Sequence, residues 1–234
     1  MIIYAHRGAS AHARANTVEA YRLAVAAGAD GIELDARLTR DGVLILEHEE
    51  RAEPHLPPFI ELDFAGLREQ APWVPTLDEA WEVIGPKMVL NIELKNRPDE
   101  ADYDPTHRLA RTVAAWVNET GEAHRILLSS FNYASLDEAK RLAPGAMTGV
   151  LVMPATDPLS AAPYARAAGH GTLNIWIEEA LEGGRELVEA TSGLDVLVYT
   201  VNDPEQALRL RDDGFAGIFT DDPAMMREVL SAPR

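Results

Sequence analysis

Carboxylate and ammonium side chains alternate with apolar residues in two short segments. Glu33 and Asp35 are two residues apart in GIELDA (31–36), and Glu93 and Lys95 are two apart in NIELK (91–95). On a β-strand, side chains two apart point to the same face, so each pair shares one face of its strand. Burying three carboxylates together is costly without a cation, and an oxygen-only cluster suits Mg²⁺ or Ca²⁺ better than zinc.

Two histidines and an arginine extend this set. His6 ends the first predicted strand, His48 ends the third, and Arg7 follows His6 directly. Two histidines could act as general base and general acid near neutral pH, while Arg7 and Lys95 donate to phosphate oxygens. Each residue alone is more often structural than catalytic. Their coincidence favours a metal-assisted phosphoryl-transfer site.

The segments that must position these residues are short apolar runs separated by amphipathic runs. This alternation predicts a parallel sheet with helical crossovers. The predicted strands are 2–6, 31–36, 43–48, 88–95, 125–130, 148–152, 172–176, 195–202 and 217–220. The predicted helices are 16–28, 77–84, 105–119, 133–142, 178–191, 203–213 and 222–231. The polar residues fall near the C-terminal ends of their strands, where (β/α)₈ barrels carry their active sites.

A (β/α)₈ TIM barrel is therefore the predicted fold, as an α/β single domain over residues 1–234. Nine predicted strands compete for eight places, and we expect one of 148–152, 172–176 or 217–220 to lie outside the barrel. An open doubly wound sheet is the alternative. Its first strand is usually followed by a glycine-rich GxGxxG loop, which HRGAS (6–10) is not.

Composition restricts the class of partner. The formal net charge of −17 argues against nucleic acid and anionic membranes, which both select basic patches. The chain has no cysteine, no N-terminal pattern of a signal peptide and no run of roughly 20 apolar residues that would insert into a membrane. We expect a cytoplasmic protein with a small-molecule substrate.

The order of several motifs resembles the glycerophosphodiester phosphodiesterase family over essentially the whole chain. These motifs are AHRGAS (5–10), NTVEAY (16–21), GADGIELD (28–35), TRDG (39–42) with a histidine at 48, PTLDEA (75–80), NIELK (91–95), LLSSF (127–131), YTVN (199–202) and GIFTDDP (217–223). The resemblance implies a (β/α)₈ barrel that hydrolyses glycerophosphodiesters to an alcohol and sn-glycerol 3-phosphate.

The resemblance also implies roles for individual residues. His6 and His48 would be the catalytic acid and base. One divalent cation, Mg²⁺ or Ca²⁺ with Mn²⁺ as a further option, would be bound by Glu33, Asp35 and Glu93. The substrate and its phosphate would be contacted by Arg7, Lys95 and Tyr199. A neighbouring substrate hydroxyl would attack phosphorus, and water would then open the cyclic phosphate.

The sequence departs from the family pattern at four places. Ala15 replaces the glutamate of a PENT motif, Glu49 replaces the aspartate after the second histidine, and Tyr199 replaces the tryptophan of WTVN. Residues 50–63 are short and proline-rich, which predicts a reduced insertion after the third strand. These positions belong to the rim of the site, where they affect the choice of substrate more than the reaction class.

Two alternatives remain open. One is an enzyme on another small phosphodiester, or a lyase that stops at the cyclic phosphate; sphingomyelinase-D-like barrels have a similar plan of two histidines and Glu-x-Asp. The other is a catalytically silent barrel that binds a phosphorylated ligand. The remaining histidines are predicted to be surface or loop residues, namely His12, His55, His107, His124 and His170.

Overall fold

The computed structural model describes residues 1–231, so the last three residues of the predicted domain lie outside the described part. Its strands are β1 (Ile2–His6), β2 (Gly31–Leu38), β3 (Leu44–Leu46), β4 (Val89–Leu94), β5 (Ile126–Ser130), β6 (Met147–Leu151), β7 (Thr172–Trp176), β8 (Asp195–Tyr199) and β9 (Gly217–Thr220). The sheet order is β1-β9-β8-β7-β6-β5-β4-β2-β3, and a further β1–β2 pairing closes eight parallel strands. The predicted (β/α)₈ barrel is confirmed.

Helices cover the outside of the barrel. Within residues 1–231 they are α1 (Val18–Ala26), α2 (Phe64–Gln70), α3 (Leu77–Ile84), α4 (Arg108–Thr120), α5 (Tyr133–Leu142), α6 (Pro158–Ala168), α7 (Ile177–Ala190), α8 (Pro204–Asp213) and α9 (Pro223–Ser231). The sequence did not predict α2 and α6, because α2 is a seven-residue helix and α6 contains Pro163. None of the helices in this described part is both long and apolar enough to cross a membrane.

The expectation about the ninth strand is wrong. Strands β6, β7 and β9 all belong to the barrel, and β3 is the one outside it. β3 pairs antiparallel with β2, with Arg37 opposite Ile45. The physical reason is the short TRDG connection (39–42), since a parallel strand needs a crossover of roughly a dozen residues. His48 therefore lies in the loop after β3 and does not end a barrel strand.

Within residues 1–231, buried apolar residues form three clusters that leave one end of the barrel for the site. Ile32, Leu34 and Ile92 belong to the main cluster between the strands and the helices. A second cluster under the segment after β3 includes Ile45 and Phe59. The third contains the inward-facing side chains Tyr4, Leu127, Leu197 and Phe219. This third cluster fills the barrel interior and leaves the C-terminal ends of the strands for polar groups.

Candidate active site

The three carboxylates predicted from the strand pattern come together on two neighbouring strands. β2 pairs in parallel with β4, and Asp35 lies directly opposite Glu93. One ligand atom from each of Glu33, Asp35 and Glu93 can lie within 4.8 Å of the others. Glu33 and Asp35 are buried and Glu93 is partly buried. The strand period thus puts three anionic groups at one point of the barrel mouth.

Two cationic side chains compensate part of this charge. Lys95 Nζ lies 2.9 Å from Oε1 of Glu93 and 3.7 Å from Oδ1 of Asp35. Arg7 Nε lies 3.2 Å from Oδ2 of Asp35, and the Arg7 backbone N–H donates to Oε2 of Glu33 at 3.0 Å. The site therefore contains donors that could bind phosphoryl oxygens beside acceptors that could bind a cation.

The pKa values of the carboxylates diverge because their surroundings differ. Burial, together with the charges of Asp35 and Glu93, raises the pKa of Glu33 well above its ordinary value. Burial would also raise the pKa of Asp35, but Lys95 and Arg7 outweigh it and lower that pKa. Glu33 is therefore the carboxylate with an excess of negative charge around it, which a cation would relieve.

A divalent cation fits this group of side chains. The ligand atoms are all carboxylate oxygens, the type preferred by Mg²⁺ and Ca²⁺. Oδ1 of Asp35 is buried and has no hydrogen-bond partner within residues 1–231. A buried acceptor without a hydrogen bond is costly, so this atom is suited to a metal.

Asn16 supports the carboxylates from the loop before α1. Its Nδ2 donates to Oδ2 of Asp35 at 2.7 Å, and its Oδ1 accepts from the hydroxyl of Tyr21 at 3.0 Å. Asn16 adopts a φ of +54°, a left-handed conformation that asparagine tolerates better than most residues. The neighbouring Thr17 caps helix α1, whereas Asn16 positions a site carboxylate.

Gly8 allows the loop after β1 to lie against α1. Its φ is +85°, and a Cβ at this position would lie 2.7 Å from the backbone carbon of Ala20. A larger residue would therefore clash with the helix backbone and adopt an unfavourable φ. This contact fixes the turn that presents Arg7 to the carboxylates.

His6 is held by an aspartate from the far end of the chain. Its Nδ1 lies 2.7 Å from Oδ1 of Asp221, which also accepts from Ser10 Oγ at 2.8 Å. Burial alone would raise the pKa of Asp221, but the hydrogen bonds from His6, Ser10 and Asn202 lower it to about 2. Because an ionised carboxylate only accepts hydrogen bonds, Nδ1 carries the proton and Nε2 is left for proton exchange.

His48 is held differently, in the loop after β3. Its Nδ1 lies 2.7 Å from Oε1 of the neighbouring Glu49, whose side chain is 70% exposed. Burial lowers the pKa of His48, and the positive charges of Lys95 and Arg7 lower it further against the opposing effect of Asp35. The glutamate that departs from the family pattern therefore still provides an acceptor for this imidazole.

The candidate residues meet in a cavity of about 260 Å³. Its polar wall consists of His6, Arg7, Glu33, His48, Glu93 and Lys95. Its apolar wall includes Phe131, Met153, Trp176, Tyr199 and Phe219. Asp35 lies behind the polar wall, fully buried. The structure thus brings all the predicted site residues to one place.

Tyr199 belongs to an aromatic row in this cavity. Its ring packs edge-on against Trp176 at 5.6 Å and Phe131 at 6.2 Å between centroids. Its hydroxyl donates to the carbonyl of Val152, so the ring rather than the hydroxyl faces the cavity. Trp176 also lines the cavity.

Some residues around the site could not be foreseen individually. Asp221 and Asn16 lie in the motifs GIFTDDP and NTVEAY, and these motifs are the signal that could have found them. The expectation that His170 is a surface residue is wrong. It is buried, and its ring contacts Thr148 at 2.9 Å and Asp137 at 3.2 Å.

A (β/α)₈ barrel with clustered carboxylates and two histidines at its C-terminal end defines a phosphodiesterase-type protein. Residues 6–225 match the model of the Glycerophosphoryl diester phosphodiesterase family. The chain belongs to this family of phosphoric diester hydrolases.

Similar proteins cover nearly the full length. A glycerophosphodiester phosphodiesterase from Caldanaerobacter subterraneus subsp. tengcongensis is 32% identical over 95% of this chain and 94% of its own. A phosphodiesterase from Oleispira antarctica, solved in complex with the product sn-glycerol-3-phosphate, has 27% identity, covers 99% and 97% of the two chains and has a TM-score of 0.82. A glycerophosphodiester phosphodiesterase from Thermotoga maritima has 26% identity, 98% coverage of both chains and a TM-score of 0.79.

Proposed function

We propose that this protein hydrolyses glycerophosphodiesters to an alcohol and sn-glycerol 3-phosphate, using one divalent cation and two histidines. The observation that carries the proposal is that one cavity is lined by both imidazoles and by Glu33 and Glu93, with Asp35 of the same carboxylate cluster behind its wall. The names of the Caldanaerobacter and Thermotoga relatives and the product bound to the Oleispira enzyme support this substrate class.

The carboxylates Glu33, Asp35 and Glu93 would hold the cation, Mg²⁺ or Ca²⁺ with Mn²⁺ as a further option. When bound, the ion would neutralise negative charge on the phosphoryl oxygens, a main requirement of phosphoryl transfer. Arg7 and Lys95 would donate to the same oxygens from within the site. Both already lie within 4 Å of the cluster carboxylates, so they need little reorganisation to reach a bound phosphate.

Proton transfer would be the task of the two imidazoles. One histidine would remove the proton from a substrate hydroxyl as its oxygen attacks phosphorus. The other would donate a proton to the leaving oxygen as its bond to phosphorus breaks. Water would then open the cyclic phosphate with the two roles exchanged. The hydrogen bonds of His6 to Asp221 and of His48 to Glu49 leave Nε2 of each ring for these transfers.

The apolar wall would bind the rest of the substrate. Tyr199 would contribute its ring face and edge, because its hydroxyl is already bonded to Val152. Together with Phe131 and Trp176 it would exclude water from one side of the phosphate. This arrangement assigns substrate contact to Tyr199 through its ring.

Release of sn-glycerol 3-phosphate from glycerophosphocholine and glycerophosphoethanolamine tests the proposal. It should be measured with Mg²⁺, Ca²⁺ or Mn²⁺ and after EDTA treatment, with phosphorus NMR to follow intermediates. We expect metal-dependent release that EDTA abolishes. No product from either substrate with any of the three ions would contradict the proposal.

A second function is favoured by Ala15. It lines a depression of about 510 Å³ beside His6 together with Asp221 and Asp222, and its methyl group leaves space where the family commonly has a glutamate side chain. This space suits another small phosphodiester. Accumulation of a cyclic phosphate in the NMR experiment would identify a lyase, and product binding without any turnover would identify a silent binding barrel.

A further inference from the structure

A fully buried arginine lies directly beyond the carboxylate cluster. Arg37 is on β2, two residues after Asp35, and is 0% exposed. Its Nη1 lies 2.7 Å from both carboxylate oxygens of Asp102, and its Nη2 lies 3.1 Å from Oε1 of Glu100. Both acidic residues belong to the loop after β4. The charge of Arg37 is therefore compensated from one side of the guanidinium group.

The remaining donors of Arg37 bind the loop that carries His48. Nη2 donates to the carbonyl oxygen of His48 at 2.5 Å. Nε lies 3.2 Å from the carbonyl oxygens of both Glu47 and His48. The Glu47 backbone N–H also donates to the carbonyl of Asp35 at 3.0 Å. The main chain at His48 is thus connected to β2 through one side chain and one backbone bond.

His48 needs such a connection because the regular structure ends before it. β3 stops at Leu46, and the ring of His48 is hydrogen-bonded to Glu49, which is mostly exposed. An exposed hydrogen bond competes with water and fixes an imidazole weakly. The guanidinium of Arg37, with its planar set of donors held by two carboxylates, is a contact of this loop that is shielded from water.

We propose that Arg37 is a positioning residue that places the His48 imidazole for proton transfer. The inference rests on the proposed function. Arg37 connects the loop after β3 with the loop after β4. It would thereby fix the distance and orientation of the His48 imidazole relative to the carboxylate of Glu93 on β4. Misplacing a catalytic group by about 1 Å can cost about 100-fold in rate.

The test is Arg37→Lys, which keeps the charge but loses the planar donor set. The matched control is Arg125→Lys, because Arg125 is also buried, pairs with Glu122 at 3.0 Å and donates to the carbonyl of Met88 at 2.9 Å. Arg125 precedes β5, at the opposite end of the barrel. We expect kcat to fall about 100-fold in Arg37→Lys with KM changed about twofold, and kcat to stay near normal in Arg125→Lys. Equal effects in the two variants would overturn the inference.

Combined variants separate positioning of His48 from general damage. Arg37→Lys should add no further loss of kcat in a His48→Gln background, because the group it positions is gone. In an Asp221→Asn background, which weakens His6 instead, the two losses should multiply. Multiplication in both backgrounds would show that Arg37 acts without His48.

A third variant covers the case in which Arg37→Lys does not fold. Replacing Arg37→Met, Glu100→Gln and Asp102→Asn together removes the buried charges as a set, which proteins tolerate better than removing one partner. This variant should show the same loss of kcat, and near-normal kcat would overturn the inference. Wild-type protein without turnover would instead contradict the proposed function, so the two failures are distinguishable.

Discussion

The two histidines of the site are held by different parts of the molecule. His6 ends a barrel strand, is 18% exposed and contacts Asp221, a residue 33% exposed and bonded in turn by Ser10 and Asn202. His48 lies on a loop, is 35% exposed and contacts Glu49, which is 70% exposed. The imidazole of His6 is therefore fixed through its ring, and that of His48 mainly through its backbone, by the buried Arg37.

This difference shows that two histidine–carboxylate contacts of equal length need not hold the imidazole equally strongly. Both His–carboxylate distances are 2.7 Å. The carboxylate of Asp221 is held by three donors and has a pKa of about 2, so it stays ionised at any ordinary assay pH. The carboxylate of Glu49 is surrounded largely by water, which weakens its interaction with His48.

The largest expected loss of kcat comes from removing either imidazole. His6→Ala and His48→Ala should each lower kcat by about 1,000-fold or more, since general acid–base catalysis contributes about 10²–10⁴-fold. Circular dichroism and thermal unfolding should remain close to those of the wild type, because both side chains face the cavity. A near-normal kcat in either variant would exclude the two-histidine mechanism.

The next largest loss of kcat is expected from removing the charge of Asp221, which is hydrogen-bonded to His6. Asp221→Asn keeps the shape of the side chain but loses the ionised acceptor for Nδ1 of His6. We expect kcat to fall about 100-fold. Loss of a hydrogen-bond partner of a metal ligand costs about 10–100-fold, and loss of the aspartate in a catalytic triad costs about 10⁴-fold. Steady-state kinetics at saturating metal measures this. A loss smaller than about threefold would mean that the barrel does not hold His6 through this contact.

Metal binding by the carboxylates of β2 and β4 can be tested without measuring turnover. Adding Mg²⁺ or Ca²⁺ to EDTA-treated protein should raise the free energy of unfolding, by about 2.7 kcal/mol at 100 times the dissociation constant. Thermal unfolding with and without metal measures the effect. Glu93→Gln should abolish most of it, and an unchanged metal response in this variant would exclude Glu93 as a ligand.

The smallest loss of kcat is expected from changing Glu49, the exposed hydrogen-bond partner of His48. Glu49→Gln should lower kcat less than about fivefold, because a solvent-exposed interaction of this kind contributes about 0–1 kcal/mol. The informative comparison is with Asp221→Asn under the same conditions. Similar losses in the two variants would contradict the distinction between a barrel-held and a loop-held imidazole.

The sequence predicted best what depends on local periodicity. The two-residue period of Glu33 with Asp35 put both carboxylates inside the barrel, and the apolar Ile32 and Leu34 outside it. The helices 77–84 and 133–142 were predicted with the bounds that the structure has. These features follow from side-chain alternation and helix capping, which act over a few residues.

Features that depend on distant contacts were not predictable in this way. The contact of His6 with Asp221 joins residues 215 positions apart. Arg37 has the period of an inward-facing strand residue, but its partners Glu100 and Asp102 lie in a loop without regular pattern. The apolar β3 looked like a barrel strand because its leucines and isoleucine are equally buried outside the barrel.

The attachment of β3 outside the barrel has a consequence for how such enzymes can diverge. Residues 43–76 carry one of the two proposed catalytic imidazoles, contain their own small apolar cluster and pair with the barrel along the C-terminal part of β2. A change of length after Leu46 would leave in place the pairing of β3 with β2 and the packing of Leu44 and Leu46 in the main cluster. A different segment in this place would have to present backbone carbonyls to the buried guanidinium of Arg37, as Glu47 and His48 do here.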